Sequence, residues 1–511
     1  MQVVWRERRA FAYYFEFAAS SVGGGLDFDF WRTTVPQVCR NEPAVWDAII
    51  AISALFETSK QDLKALALST LRKSGKGPPS ASLSQSHQDA LCWYSRSVSA
   101  VRQRIERGSV DIFVGLISCV LFICIEAIQG NSEGALQLYS QGVQLILTMR
   151  PQIASGAIPA HKGVLLEETI IPIFVRLGAI ALAIAGTPVT ALLQDSKDSS
   201  AQTFDSLRAA REAIVYLAVE IPLLERECLK HLNQPDVTCV PEEFIIQASS
   251  LSTRLHNWHH AFENLMHRLR AKQVLSTQQT GTSALLSSYH AMLFITLQTC
   301  TSISLMQFDA YLPYFQHIVQ QSTIGLEASK RSDGTQTPFT FEISVGLPLW
   351  YTSLRCREPR TRRAALALLH QSPHIQGFYE CSFGAVVGQK IMELEESKAM
   401  ALNAAYHNAN LGAVTLANES GPGSEVGITS HSAASELVSR VSATLFIPEE
   451  ARIGPIDVFR PADGLLPGTT QRDVAKWERS FDQLFLRFLR TERGLESDSP
   501  RWVYDYVPLY S

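Results

Sequence analysis

The segment between Asp111 and Asn131 constrains the fold most strongly, because it is apolar on every side of a helix. From Ile112 to Ile125 it reads IFVGLISCVLFICI and carries no charge. A helix that is apolar all round is either buried in a large core or embedded in a membrane. A membrane-spanning helix needs about 20 apolar residues, and this run is shorter. It therefore predicts a helix buried on all sides by a large helical body.

The segments on either side of this run also show helical periodicity. The preceding segment has a three-four spacing that places five apolar residues on one helix face: Leu91, Tyr94, Val98, Val101 and Ile105. Ser86 and Asp89 stand just ahead of this stripe in the spacing of a capping box. After the apolar run, Asn131 can cap a third helix. Gly142 lies on the inner face of that helix and predicts close packing of its backbone.

Helical signals dominate the rest of the chain. Asn41 and Pro43 open a helix whose shared face carries Val45, Ala48, Ile52 and Phe56. The apolar zone from Ile170 to Leu193 contains Arg176 and two prolines, which favours a buried helix pair over a membrane span. Strand-like alternation is sparse. The sequence therefore predicts an all-α fold, a large helical body of packed helix pairs with a smaller C-terminal helical extension.

Loop-rich composition divides this chain into three parts. Ser, Gly, Gln and Pro are concentrated at residues 74–86, 194–203, 271–283 and 328–338, and above all at 417–435. We expect a helical body at 1–416, a linker at 417–435, and a C-terminal helical extension with an aromatic tail at 436–511. The extension contains one predicted helix from Thr470 to Thr491, whose apolar face carries Trp477, Phe481, Leu484 and Phe488.

Charge and cysteine usage exclude several classes of protein. The 45 Lys and Arg residues nearly balance 49 Asp and Glu residues, for a net charge of −4, which argues against a free-standing nucleic-acid-binding protein. Nine cysteines are scattered along the chain, and no two of them form a Cys-x-x-Cys pair. This pattern predicts free, buried thiols in a reducing compartment. The charged N-terminus has no apolar core of a signal peptide and predicts that the chain is not secreted.

One histidine-rich segment has the spacing of a metal site. His256, His260, Glu263 and His267 fall on one helical face, as metal ligands would. The opposite face is apolar, with Trp258, Phe262, Leu265 and Leu269, so the polar stripe can equally be the solvent side of an amphipathic helix. The metalloprotease motif would also need Glu in place of Asn257. We favour the amphipathic helix and predict no catalytic, cofactor-binding or metal-binding residue and no enzymatic activity.

Three further features have a functional and a structural interpretation. Arg360, Arg362 and Arg363 could bind phosphate or an acidic segment, but pairing with neighbouring carboxylates is favoured, such as Glu393, Glu395 and Glu396. Glu126 could be catalytic, although local hydrogen bonds or an ion pair with a buried residue such as Arg176 are favoured. The aromatic tail could contact a coactivator, but docking on its own domain is favoured; its aromatic residues are Trp502, Tyr504, Tyr506 and Tyr510.

Three stretches together resemble a known family. They are WRERRAFAYYFEFAASSVGGGLDFDFW near the start, LFICIEAIQGNSEGALQLYSQGVQLI, and LPLWYTSLRCREPRTRRAALALLHQSPHIQGFYE. Their order and spacing are similar to the fungus-specific regulatory domain that follows the six-cysteine zinc cluster in fungal transcription factors, over most of residues 5–400. Three positions depart from its pattern: Glu358 replaces an Asp, and Gln376 and Tyr379 replace the Glu and Trp of a Glu-Gly-Trp run.

The resemblance implies a nuclear transcription regulator. Such domains serve dimer contacts, inhibition of activation or effector response, often for metabolic or secondary-metabolite genes. Because these 511 residues lack the zinc cluster, we expect no direct nucleic-acid binding. The short or interrupted apolar runs predict no membrane association. The expected partners are other transcription regulators or coactivators, in a homo- or heterodimer. Two alternatives remain: a fragment of a full zinc-cluster factor, and a helical small-molecule-binding protein or enzyme.

Overall fold

The computed structural model describes residues 2–57, 84–108, 111–182, 188–193, 203–234, 237, 239–302, 304–417, 445–464, 466, 469, 483–493 and 500–510. The first helices are α1 Gln2–Tyr13, α2 Ala19–Gly23, α3 Val35–Cys39, α4 Pro43–Glu57, α5 Gln85–Glu106, α6 Ile112–Ile128, α7 Ser132–Ala154, α8 Ala160–Leu165 and α9 Ile171–Leu182. The later helices are α10 Leu207–Leu232, α11 Glu242–Lys272, α12 Thr277–Thr299, α13 Leu312–Ser329, α14 Gly346–Arg355, α15 Pro359–Gln371 and α16 Cys381–Ala417. The predicted all-α body is confirmed, and the predicted loop at 271–283 is limited to the residues between α11 and α12.

Helix α6 lies at the centre of the body, as its composition predicts. It packs between α4 and α7, and its side chains from Leu116 to Ile125 are buried. Burial of each large aliphatic side chain stabilises the fold by about 1.5–3 kcal/mol, so this helix is a major source of stability. Helix α9 is buried as well, but the segment after it, Pro188–Leu192, is a short 3-10 helix. Within the described residues, no helix has the length and apolar character that a membrane crossing requires.

Helix α5 forms where predicted, but its predicted buried face is wrong. Leu91, Val98 and Ile105 are 38–62 % exposed. The face that packs on α4 instead carries His87, Ala90, Trp93 and Ser97, because small residues let the two backbones approach closely. The Ser97 hydroxyl donates to the Ala44 carbonyl at 2.6 Å. The N-cap is Ser84, not Ser86.

The start and the inner face of α7 confirm two predictions. Asn131 Oδ1 accepts a hydrogen bond from the Gly134 N–H at 3.1 Å, which caps the helix. A Cβ atom at Gly142 would lie 2.4 Å from the Phe174 ring, so only glycine fits at this crossing. At this crossing, the backbone of α7 therefore packs directly against the Phe174 ring of α9.

Two small sheets accompany the helices. In the first, β1 Phe339–Thr340 pairs in parallel with β2 Ile375–Gln376, which pairs antiparallel with β3 Tyr379–Glu380. In the second, β4 Ile453–Phe459, β5 Phe485–Arg493 and β6 Pro500–Pro508 form an antiparallel sheet in that order. This second sheet packs on α16, where Val387 and Ile391 share a buried cluster with Leu486 and Phe488.

The C-terminal sheet corrects one part of the fold prediction. The predicted helix from Thr470 to Thr491 is wrong from Phe485 onward, because these residues form β5; residues 470–482 lie outside the described residues. Strand β5 is paired on both edges, with β4 and β6, and the sheet packs against α16. These contacts favour a strand over the helix that the apolar spacing predicts. The tail docks on its own domain as β6, which confirms that interpretation. The boundaries at 417 and 435 stay a prediction.

Candidate functional site

An apolar cavity of about 260 Å³ lies where the central helices meet the C-terminal sheet. Its walls come from α9, α10, α12, α14, α16 and β4. Aliphatic and aromatic side chains form most of the surface, among them Ile180, Val215, Leu293, Leu347 and Trp350. We call this space the central cavity. Such a mostly apolar space with a few polar groups has the usual character of a small-molecule site.

Strand β4 forms one wall of the central cavity through an irregularity in its pairing. The register between β4 and β5 shifts between Ile453 and Ile456. The two residues between them, Gly454 and Pro455, line the cavity. Proline has no N–H to donate to the neighbouring strand, so it fits best at a bulge, where no ladder hydrogen bond is needed. The pairing continues on the far side of the bulge. This wall of the cavity therefore comes from a segment that is distant in sequence from most of the helices opposite it.

Most polar groups of the central cavity serve the fold. The Arg226 guanidinium donates to the Leu182 carbonyl. Gln376 Nε2 donates to the Tyr289 hydroxyl at 3.1 Å. The Arg176 guanidinium is paired with Asp27 and Glu212. These groups hold the walls in place and have little capacity left for a ligand.

Other polar side-chain groups of the cavity wall lack a hydrogen-bond partner among the described residues. Among the described residues, the Glu225 carboxyl has neither a hydrogen bond nor an ion pair, and burial raises its pKa despite the charges of Arg355 and Arg226. Trp350 Nε1 is buried without a hydrogen-bond partner in the described part of the chain. The Arg355 guanidinium stands 5.2 Å from the centroid of the Phe308 ring. A polar group without a partner in an apolar surrounding is costly, so a ligand that contacts the Glu225 carboxyl or the Arg355 guanidinium from the cavity gains affinity and specificity.

A buried ion network holds the helical walls of the cavity together. Arg211 donates to Asp27 Oδ1 at 2.8 Å and to Glu342 at 2.5 Å. Arg176 joins the network through Asp27 and Glu212. Burial alone would raise the pKa of Asp27, but the guanidinium groups of Arg176 and Arg211 outweigh it and lower the pKa. The network ties α9 and α10 to the segment before α14.

A second buried network ties β4 to the helices. Arg362 donates to Glu395 Oε2 at 2.6 Å, and Arg357 donates to Oε1 at 2.8 Å. The Ile453 N–H also donates to Glu395 Oε1, at 2.7 Å. Burial would raise the pKa of Glu395, but Arg357 and Arg362 outweigh it and lower the pKa. We call Arg357, Glu395 and Arg362 the buried triad.

The buried triad confirms the structural interpretation of the basic cluster. Arg362 and Arg363 pair with Glu395 and Glu396, as expected, and Arg360 is exposed. Arg357 is a member of the triad that the sequence did not predict. Its signal was only its position directly after Cys356, before the proline that opens α15.

The histidine-rich helix α11 follows the amphipathic interpretation. Trp258, Phe262 and Leu265 are buried on its inner face. All four predicted residues, His256, His260, Glu263 and His267, are exposed, and His256 and Glu263 also border a groove. The structure adds residues that the predicted set lacked: His259, whose ring stacks on His290 at 4.3 Å between centroids, and His317 of α13. Within the described ranges, no three His, Cys, Asp or Glu side chains converge as metal ligands would.

Glu126 forms one local hydrogen bond, to Asn131, and one to Tyr94 of α5, and it does not pair with Arg176. Its Oε1 accepts from the Tyr94 hydroxyl at 2.5 Å, and its Oε2 accepts from Asn131 Nδ2 at 2.7 Å. The local interpretation is therefore confirmed and the proposed partner Arg176 is wrong. Arg176 lies instead against Asp27 of the N-terminal segment, a contact across 149 positions that no local spacing indicates.

The comparison with protein families agrees with these elements. The model of the fungal specific transcription factor domain matches residues 9–382, which include every helix from α2 to α15. No curated protein and no solved structure matches the chain. The matched range covers most of the sequence and contains the helical walls of the central cavity up to α14, whereas β4 lies outside it. The chain belongs to the family of the fungal specific transcription factor domain.

Proposed function

We propose that this chain is a nuclear transcription regulatory protein whose activity changes when a small effector molecule occupies the central cavity. Membership of the transcription factor family supports the regulatory role. The central cavity carries the effector role, because its apolar wall holds a carboxyl group, Glu225, without a partner among the described residues. No catalytic activity is part of this proposal.

The regulator acts through proteins rather than by contacting DNA. The net charge of −4 and the lack of any Cys-x-x-Cys pair in these 511 residues support this step, since DNA-binding modules of such factors are basic and zinc-bound. Its partners are other transcription regulators or coactivators, in a homo- or heterodimer. Its targets are metabolic or secondary-metabolite genes, by analogy with the family.

A reporter assay tests the effector role. The chain is fused to an unrelated DNA-binding module and compared with Ala179→Phe, which places a ring in the cavity wall. The control is Ala271→Phe, at an exposed position of α11. We expect the filled variant to change reporter output several-fold and the control to match the wild type. Equal output from all three proteins would refute the effector role.

A capture experiment tests the partner role. The full chain is used to recover proteins from fungal nuclear extract, and bound proteins are identified by mass spectrometry. We expect a zinc-cluster factor or a coactivator. Specific, low-nanomolar binding of promoter DNA by the purified chain alone would refute the proposal. Two Cys-x-x-Cys pairs encoded directly upstream would favour the fragment of a full zinc-cluster factor.

A further inference from the structure

We infer that a second pocket, beside the loop that follows α2, binds a compact polyhydroxylated molecule of about the size of a monosaccharide. We call this space the polar pocket. It is distinct from the central cavity, although Ile343 lines both, so the inference goes beyond the proposed function. Five polar side chains on its wall carry the argument: Ser20, Ser21, Gln278, Thr282 and Ser344.

The polar pocket lies between the loop after α2, the first turns of α12, the end of α13 and the segment before α14. Exposed residues such as Phe28 and Gln278 line its mouth, and buried residues such as Gly325 and Val345 line its inner end. It measures about 400 Å³, within the range of about 300–1,000 Å³ for small-molecule sites. A cavity of about 150 Å³ holds benzene, so scaling by volume gives room for roughly sixteen non-hydrogen atoms. A monosaccharide is smaller than that and fits.

Gly24 lets the loop after α2 form one side of the polar pocket. Its φ is +59°, a conformation that residues with a side chain rarely adopt. A Cβ atom at this position would also lie 2.9 Å from Glu342 Cγ. The loop backbone therefore packs directly against Glu342, which lines the same pocket.

A buried hydroxyl without a partner is the observation that points to a ligand. Ser344 lines the polar pocket and is only 8 % exposed, and its hydroxyl forms no hydrogen bond with any described residue. Such a group has lost most of its contact with bulk water, so leaving it unpaired is costly. Four more polar side chains of the wall have no partner in the described part of the chain: Ser20, Ser21, Gln278 and Thr282.

These five groups match the hydroxyl groups of a polyol. A serine or threonine hydroxyl donates one hydrogen bond and accepts others, and the glutamine amide also does both. Each hydroxyl of a polyol has the same dual capacity, so several of them can pair with this wall at once. A hydrocarbon or a molecule with a single hydroxyl would leave most of the wall groups unpaired, and sites of this kind discriminate strongly against such analogues.

The charged residues of the polar pocket are balanced. Glu342 and Arg331 line it, one of each sign. The Glu342 carboxylate is paired with Arg211. The Arg331 guanidinium donates to the Tyr13 hydroxyl at 3.2 Å. The wall therefore has no net charge that would favour an anion or a cation, and the unpaired hydroxyl and amide groups decide the class of ligand.

Calorimetric titration of the full chain with ring-shaped probes tests this inference. D-glucose, D-galactose, D-mannose and myo-inositol carry several hydroxyl groups on a ring, whereas cyclohexanol carries one on a ring of equal size. We expect at least one of the four polyols to bind at least about tenfold more tightly than cyclohexanol, the ratio that one well-placed hydrogen bond supplies. D-glucose 6-phosphate and D-glucosamine, which add a charge, should bind no more tightly than the best polyol.

Two variants locate the binding. Ser344→Ala should weaken binding of the best polyol about tenfold. Without ligand, its stability in urea should equal or exceed that of the wild type, because the hydroxyl that it removes is buried without a partner. Its control is Ser332→Ala, an exposed serine of the same segment outside the pocket, which should bind as the wild type does. Thr282→Phe should abolish binding with an unchanged far-ultraviolet circular dichroism spectrum, which shows that the variant folds.

Four results would overturn the inference. Absence of saturable binding of all four polyols to the folded wild-type chain would reject the site. Cyclohexanol binding as tight as that of the best polyol would reject the polyhydroxylated class. Binding of a charged sugar about tenfold tighter than that of the best polyol would replace it with a charged class. Equal polyol binding by the Ser344→Ala and Ser332→Ala variants, or binding that persists in folded Thr282→Phe, would place the ligand elsewhere on the chain.

Discussion

Removing the carboxylate of the buried triad gives the sharpest test of how the C-terminal sheet is held. Glu395 has no exposed surface and accepts hydrogen bonds from Arg357, Arg362 and the Ile453 N–H. Glu395→Ala would leave two buried guanidinium groups without their anion. Breaking a buried ion pair by removing one partner costs about 3–5 kcal/mol. We expect the free energy of unfolding to fall by that amount, and strand β4 to detach first.

Urea unfolding followed by circular dichroism measures the loss, and hydrogen exchange at residues 453–459 measures the loosening of β4. The matched control is Glu393→Ala, an exposed carboxylate on the same helix that accepts from Gln389 Nε2. Its effect should stay within about 0.5 kcal/mol. Identical midpoints for the two variants would refute the assignment of stability to the buried triad.

Two further measurements separate charge from packing. Replacing Arg357 with Met, Arg362 with Met and Glu395 with Leu together should recover much of the lost stability, because no unpaired charge remains buried. The lowered pKa of Glu395 also sets the sign of a pH effect. Its contribution is fully present above the unfolded-state pKa of about 4.3 and is lost as the pH falls through the lower folded-state pKa. Stability that is flat from neutral pH to well below that value would contradict this step.

Three other predictions follow from single sites. Burial, and then the neighbouring His259, lower the pKa of His290 to about 3. His290 therefore stays neutral in the folded chain, whereas in the unfolded chain it takes up a proton below about pH 6.5. On acidification to about pH 5, the melting temperature of the His290→Phe variant should fall less than that of the wild type. Gly142→Ala should destabilise the body by about 1–3 kcal/mol in urea unfolding, because its Cβ would overlap the ring of Phe174. Of nine free cysteines, only the exposed Cys92 and Cys239 should react rapidly with a thiol reagent under native conditions.

Local sequence patterns predict those parts of the fold whose causes are local. The apolar run of α6 admits only a buried helix of that length, and the Asn131 cap depends on residues three positions apart. The orientation of α5 does not follow from its own pattern, since it offers two faces. The stripe with Leu91 and Val98 is the more apolar, yet the face with Ala90 and Ser97 fits α4 more closely. Tertiary packing decides between them.

The C-terminal sheet and the central cavity depend on contacts that no local pattern shows. The segment FLRFLRTER of β5 has apolar residues at spacings that suit a helix as well as a strand. Pairing with β4 and β6 stabilises the strand over the helix. Strand β4 lies about thirty positions earlier in the chain, since Asp457 of β4 pairs with Arg487 of β5. The walls of the cavity likewise come from residues 176 to 456, so their convergence follows from the fold alone.

Strand β4 connects the stability of the sheet to the proposed effector site. The N–H of its first residue, Ile453, donates to Glu395, and the Ile453 carbonyl accepts from Arg357, while the next two residues line the central cavity. A ligand in the cavity would therefore contact the strand directly beside its strongest anchor. Since anything that binds only the folded arrangement stabilises it by mass action, an effector would favour the docked sheet over a loosened one. The docked and loosened states of β4 are thus the two states that an effector in this cavity would distinguish.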